Sequence, residues 1–259
     1  MGNGGELLAI YQYGRNIPLE NFEKWFDTPI YRIMPIEYVL HIFEHNELYF
    51  PNICKHWEDP YELFVYKQDY TYQGYKLDNS DVLQHHYGQC WSTRMNSDAL
   101  WRIYSPDMKS VRLKTTPRLL LQTLYNNKND EYVINYGPVR YLKRQEIEDW
   151  LKINFSGSFS DKYVIESFFM KRNNFSHEDE VRIIISTPTI QNGNKINPVL
   201  DGVTIKIDPN HLIKQIAFDP RLPENRCKIF KQMFKRYGNP DIKYVKSSYY
   251  TMKPLSIEI

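Results

Sequence analysis

At 259 residues the chain can bury one large hydrophobic core with insertions, and its 42% hydrophobic and 25% charged content exclude a disordered or collagen-like class. A formal net charge of +2 removes any bulk-charge argument for nucleic acid or an anionic membrane. Three scattered cysteines without a CxxC pair exclude a disulfide framework, and no apolar run approaches the ~20 residues of a membrane span, so a soluble, cytoplasmic chain is expected.

In chain order, residues 1–29 read as an N-terminal arm ending in a short helix over 18–26, "PLENFEKWF". "IYRIM" (30–34) alternates as a strand, and Pro35 opens a helix over 36–46 with Val39, Leu40 and Phe43 on one face. A short strand follows at 48–50, then a helical turn around "WEDPYELF"; residues 67–88 carry no period. "QCWST" (89–93) is a buried strand, and 96–104 is an amphipathic helix capped by Asn96 or Ser97. Residues 110–115 alternate as a strand, and Thr116 caps the next helix with Pro117 in its first turn. The segment 131–142 is β-rich and broken at Gly137-Pro138; helices follow over 144–153 and 161–172. Strands are expected at 175–186, 203–207, 213–218 and 242–245, with a helix over 225–238 stopped by Gly238. Strands and helices mix without strict βαβ alternation. This predicts an α+β fold of mixed or antiparallel sheets with flanking helices, residues 30–259 forming a single domain.

"FSHEDEVRIIIS" (175–186) sets three acids before a β-branched run. On a strand that starts near Glu178, residues Glu178, Glu180 and Arg182 share one face, while Asp179, Val181 and Ile183 share the other. Two carboxylates two residues apart, roughly 7 Å, repel by about 0.6 kcal/mol in water and about 2.4 kcal/mol at an effective dielectric of 20. Inside a cleft the pair needs a counter-charge, and Arg182 is placed to be one. Alone, the pattern reads as an acidic, solvated strand mouth. Two further segments accompany it in order: "YR" at 31–32 on the first strand, and "CWST" at 90–93 on a middle strand.

An Arg, a Ser-Thr and a Glu-x-Glu in this order resemble the ADP-ribosyltransferase superfamily, in its arginine–serine–glutamate branch; Arg94 replaces the last residue of the family's Ser-Thr-Ser. The chain also resembles a bacterial family known only as a domain of unknown function, through "YRIM", "EDPYE", "CWS" with "ALWRIYS", "EDEVRIII" and "IKQIAFDP". The first resemblance implies an ADP-ribosyltransferase-like split β core, NAD as substrate, no metal and a macromolecular acceptor, either protein or nucleic acid. It implies Glu180 as the carboxylate beside the ribose and Glu178 as the group that orients or deprotonates the acceptor. Arg32 would take the diphosphate, with Tyr31, Ser92 and Thr93 completing the NAD-binding set. It extends to a bacterial toxin or defence effector with a neutralising antitoxin-type partner. Set against this are a non-catalytic module on the same fold that binds nucleic acid or a partner protein, and a hydrolase using the carboxylate pair on another glycosidic substrate.

Weaker features have plainer readings. His85, His86 and His177 lack metal-ligand spacing. "KRNNF" (171–175) mixes basic and aromatic residues, but a solvated helix face explains it. The acids of "EDPYE" fit the first turn of a helix. Cys90 has no base to activate it and reads as a core thiol.

Overall fold

The computed structural model describes residues 24–76, 84–155, 160–191, 194–195, 199–238, 240–252 and 254–257. The arm expected over 1–29 lies outside them except for residues 24–29, of which Lys24–Phe26 are helical as read. The architecture is α+β: a seven-stranded mixed sheet with flanking helices and smaller two-stranded pairings.

Strand β1 (Ile30–Pro35) runs directly into helix α1 (Ile36–His45), because Pro35 holds an extended backbone before the first helical turn. Asn46 closes that helix in the left-handed conformation, φ 54°, and donates its N–H to Ile42 O. β2 (Glu47–Pro51) follows, then β3 (His86–Ser92). Helix α2 (Asp98–Tyr104) starts where the Ser97 hydroxyl accepts from Leu100 N–H at 3.2 Å. β4 (Ser110–Thr115) leads to α3 (Pro117–Asn127), whose Thr116 cap and Pro117 stand where the sequence placed them. β5 (Val133–Pro138), β6 (Arg140–Leu142), α4 (Arg144–Phe155) and α5 (Asp161–Ser167) come next. β7 (Met170–Arg172), a 3₁₀ turn (Asn173–Glu178) and β8 (Glu180–Ser186) form the stretch on which the site is built. β9 (Gly202–Lys206), β10 (Gln215–Phe218), α6 (Glu224–Tyr237) and β11 (Lys243–Lys246) complete the chain.

The sheet order is β11-β10-β4-β1-β3-β8-β5, antiparallel throughout except for the parallel β10–β11 pair. β8 is the best-seated strand, pairing along its length with β3 from Glu180↔Ser92 to Ser186↔His86. By contrast β1 meets β3 at the single pair Tyr31↔Ser92, so the sheet parts there into two halves. β9 pairs with β2, and β6 pairs in parallel with β7.

The larger core covers one sheet face: Ile30, Trp91, Val111, Leu113, Val181, Ile183, Ile185, Ile216 and Phe218 lie beneath Val39 and Phe43 of α1, Leu120 and Leu124 of α3, and Phe234 of α6. Each such side chain contributes about 1.5–3 kcal/mol on leaving water. A second core on the opposite side joins Ile184 to Ile147, Val164, Ile165, Phe168, Phe169 and Met170.

Two segments differ from the sequence reading, and both bear on the site. The helix expected over 161–172 ends at Ser167, and residues 170–172 form β7. Phe168, Phe169 and Met170 are three consecutive fully buried residues, which one face of a surface helix cannot accommodate. The strand expected near Glu178 begins at Glu180: Glu178 ends the 3₁₀ turn, and Asp179 is left-handed with φ 43°.

Candidate active site

The three sequence motifs fall on three adjacent strands. Tyr31 of β1 pairs with Ser92 of β3, and Ser92 pairs with Glu180 of β8, so the three form one row across the sheet. Directly cross-paired residues point to the same face. Strands spaced about 4.8 Å apart put the ends of that row on the order of 10 Å from each other. Arg32 follows Tyr31 at the point where β1 and β3 part, and its Nη1 is buried without a hydrogen-bond partner among the described residues. Burial pulls the Arg32 guanidinium below its ordinary value, and the groups that act back on it are Cys90 and Tyr104, not a carboxylate.

Ser92 and Thr93 grip the acidic turn. The Ser92 hydroxyl donates to the Glu178 carbonyl at 2.6 Å and accepts from Arg94 N–H at 3.0 Å. Thr93 N–H donates to Asp179 O at 3.1 Å, and its hydroxyl donates to the Asp179 carboxylate. Asp179 was expected on the face of Val181 and Ile183, but its left-handed backbone turns it out of the strand toward Thr93 and Arg94, whose Nε lies 3.7 Å away. The same reversal brings Glu178 back beside Glu180.

The two glutamates meet on one ammonium. Lys171 Nζ lies 2.5 Å from Glu178 Oε2, 2.6 Å from Glu180 Oε1 and 3.4 Å from Glu62 Oε1. Arg182 Nε donates to the other Glu180 oxygen at 2.7 Å, and its Nη2 pairs with Glu62. Arg182 Nη1 donates to Phe168 O at 2.6 Å, and the guanidinium lies 4.2 Å from the Trp57 ring centroid. The counter-charge expected on the face of Glu180 is therefore present, and a lysine joins it. Glu178 and Glu180 are 5% and 4% exposed, so their charges are compensated almost wholly by protein groups.

The environment drives the two carboxyls apart. Burial, a hydrogen bond shared with Glu180 and the Glu180 charge push Glu178 up to about 7, against the pull of Lys171. Burial acts on Glu180 in the same direction, but Arg182, the hydrogen bond with Glu178 and Lys171 outweigh it and hold Glu180 below the ordinary carboxylate range. Glu62, Glu178 and Glu180 face Lys171 and Arg182, three acids against two cations, so the cluster is neutral when Glu178 carries a proton. A pair split in this way has one member that stays ionised and one that exchanges a proton near neutrality.

Two tyrosines close the site. Tyr104 is 43% exposed, yet its hydroxyl turns inward and approaches Glu178 Oε1 at 3.5 Å. The Tyr141 hydroxyl accepts from Glu180 N–H at 2.8 Å. Burial raises both phenols and the Cys90 thiol, which disfavours the thiolate. Tyr31 lies 5.0 Å beneath the Arg112 guanidinium. Lys171 and Glu62 were missed in the sequence, the first through the misplaced helix and the second as an acid of a helix's first turn. The spacing of Lys171 from Glu178 had no meaning until β7 was known to be a strand. His86 Nδ1 lies 2.9 Å from Ser186 Oγ, and among the described residues no three His, Cys, Asp or Glu side chains are grouped to hold a metal ion. No described helix is long and apolar enough to cross a membrane.

No family model and no curated protein matches the chain. The resemblance to a domain-of-unknown-function family therefore finds no support. Among solved structures, DarT of Thermus sp. 2.9 in complex with NAD+ shares 12% identity at a TM-score of 0.37, covering 85% of this chain and 96% of its own. DarT of the same organism in complex with ADP-ribosylated ssDNA shares 13% identity at a TM-score of 0.35, covering 84% and 94%. Similarity at this level assigns neither a family nor an activity to the chain.

Proposed function

We propose that the chain is an NAD-dependent ADP-ribosyltransferase that modifies a macromolecular acceptor, a protein side chain or a nucleic acid. The observation that carries the reading is the row Tyr31–Ser92–Glu180 across three adjacent strands, with the Glu178 carboxyl brought alongside Glu180 on one ammonium.

Transfer breaks the nicotinamide–ribose bond, nicotinamide leaving with the bonding pair, and forms a bond from the ribose carbon to the acceptor's nucleophile. Positive charge develops on the sugar as the bond opens, as in glycoside hydrolysis. Glu180, held ionised by Arg182 and Lys171, is the anion that faces that charge and grips a ribose hydroxyl. Glu178, poised near neutrality, takes the proton from the attacking acceptor and passes it to solvent. The buried, unpartnered Nη1 of Arg32 suits a phosphate oxygen of the dinucleotide. Ser92 and Thr93 hold the turn that sets Glu178 beside Glu180, and Tyr31 flanks them in the row.

A second reading, a non-catalytic module that binds nucleic acid or protein, is favoured by the burial and full ion pairing of both carboxylates. Incubation with NAD carrying a label on the adenosine half separates the two. The transferase reading expects nicotinamide release and label on lysate protein or nucleic acid, with Glu180→Gln reducing turnover about 10²–10³-fold, as loss of a charge-stabilising group does. Background release by the wild-type protein would overturn the enzyme reading. Full activity in Glu180→Gln would leave the enzyme and remove the assigned site.

A further inference from the structure

We propose that Lys171 is a positioning residue for the carboxylate pair: its ammonium clamps Glu178 against Glu180 and thereby decides which of the two holds the exchangeable proton. The proposal rests on the transferase reading for its catalytic meaning and on the geometry for its physical content.

Lys171 reaches the site from β7, a strand outside the seven-stranded sheet that carries all three motifs. β7 is fastened to β6 in parallel register, Tyr141 opposite Lys171, so Tyr141 and Lys171 arrive together from the same two-stranded unit. The ammonium touches Glu178 Oε2 at 2.5 Å and Glu180 Oε1 at 2.6 Å and lies 4.6 Å from the Phe175 ring centroid, which closes its remaining side. Glu180 has a second cation in Arg182, whereas Lys171 is the cation that ion-pairs with Glu178 among the described residues. The balance between the two acids therefore depends on the lysine. Removing Arg182 would leave Glu180 one cation; removing Lys171 would leave Glu178 none.

The groups facing Glu178 are Lys171 from β7, Glu180 from β8, Tyr104 from α2 and Tyr141 from β6, with Arg182 reaching Glu180 behind them. Glu62 draws on Lys171 from the far side at 3.4 Å. Of these, Lys171 opposes protonation of Glu178, and Glu180 promotes it. Deleting the ammonium leaves Glu178 protonated to higher pH and so withholds the base from the acceptor.

The test uses full-length protein labelled with ¹³C at the glutamate carboxyls, titrated by NMR beside the pH profile of NAD turnover, for wild type, Lys171→Met and Lys171→Arg. In Lys171→Met the Glu178 midpoint should rise by about one pH unit, the lower end of the effect of a contacting opposite charge. The rising limb of kcat should move up with it, and Lys171→Arg should return both toward wild type. A merely structural lysine would lower Tm and kcat in Lys171→Met without moving either midpoint, which overturns the proposal. If Lys171→Met does not fold, Glu62→Gln is the second variant. It frees Lys171 from its competitor and should lower the Glu178 midpoint, and an unchanged midpoint there also overturns the clamp. NMR midpoints that shift in a protein without NAD turnover would leave the clamp standing and refute the transferase reading, so the two failures are distinguishable.

Discussion

The two faces of β8 do opposite things with the same seven residues. Val181, Ile183 and Ile185 enter the large apolar core, where cost and benefit scale with area and shape. On the other face Glu180 and Arg182 sit almost as deep, at 4% and 0% exposed, but within a network of named partners. The apolar face tolerates any side chain of similar size. The ionic face is stable only as a set, because each charge is compensated by the others and none by water. Two arginines extend the contrast: buried Arg182 has a carboxylate on two sides, whereas half-buried Arg32 has one buried nitrogen with no hydrogen-bond partner among the described residues.

The largest stability effect expected from breaking the contrast is at Arg182. Arg182→Met leaves Glu180 and Glu62 with Lys171 as their one remaining shared cation among the described residues and should cost about 3–5 kcal/mol in urea denaturation. Replacing Glu62, Glu180 and Arg182 together by Leu, Leu and Met leaves the balanced Lys171–Glu178 pair and should recover most of that loss. If the triple variant is no more stable than the single one, the network is not the closed set described. On the apolar face Ile183→Val should cost only about 1 kcal/mol and leave NAD turnover at the wild-type level, since Ile183 meets the large core and no member of the network.

The smallest effect concerns pH. Glu178 is raised from 4.5 to about 7, so the folded state keeps a proton that the unfolded chain gives up. Its contribution is complete below pH 4.5 and is lost as pH rises through about 7; Tm should decline across that window, and Glu178→Gln should flatten the decline. Glu180 is lowered, so its contribution holds above 4.5 and is lost as pH falls below that value. On the proposed transferase reading, with Glu178 as the acceptor's base, turnover should climb where stability falls.

Much of the architecture is legible in local chemistry. The Ser97 and Thr116 caps, the Pro35 and Pro117 helix starts and the stop at Gly238 each follow from what a side chain or ring does to its own backbone. The strand at 110–115 follows from alternation, and the order of the three motifs was visible as well. What was not legible are the contacts that cross between elements. Glu62 is 120 residues from Arg182 in the chain, and Arg172 binds Asp59 at a separation of 113. No periodicity reports such distances.

The chain by itself determined where capped and proline-led helices begin and that a Glu-x-Glu stands at the mouth of a β-branched strand, because those features depend on a few neighbouring residues. Tertiary structure alone decided that Glu178 and Glu180 converge. They do so by a left-handed turn at Asp179 secured from β3, not by the alternation of a continuous strand. It also decided that Lys171 is a clamp and not a solvated basic residue, because only the docking of β6 and β7 beside β8 buries its ammonium among three carboxylates.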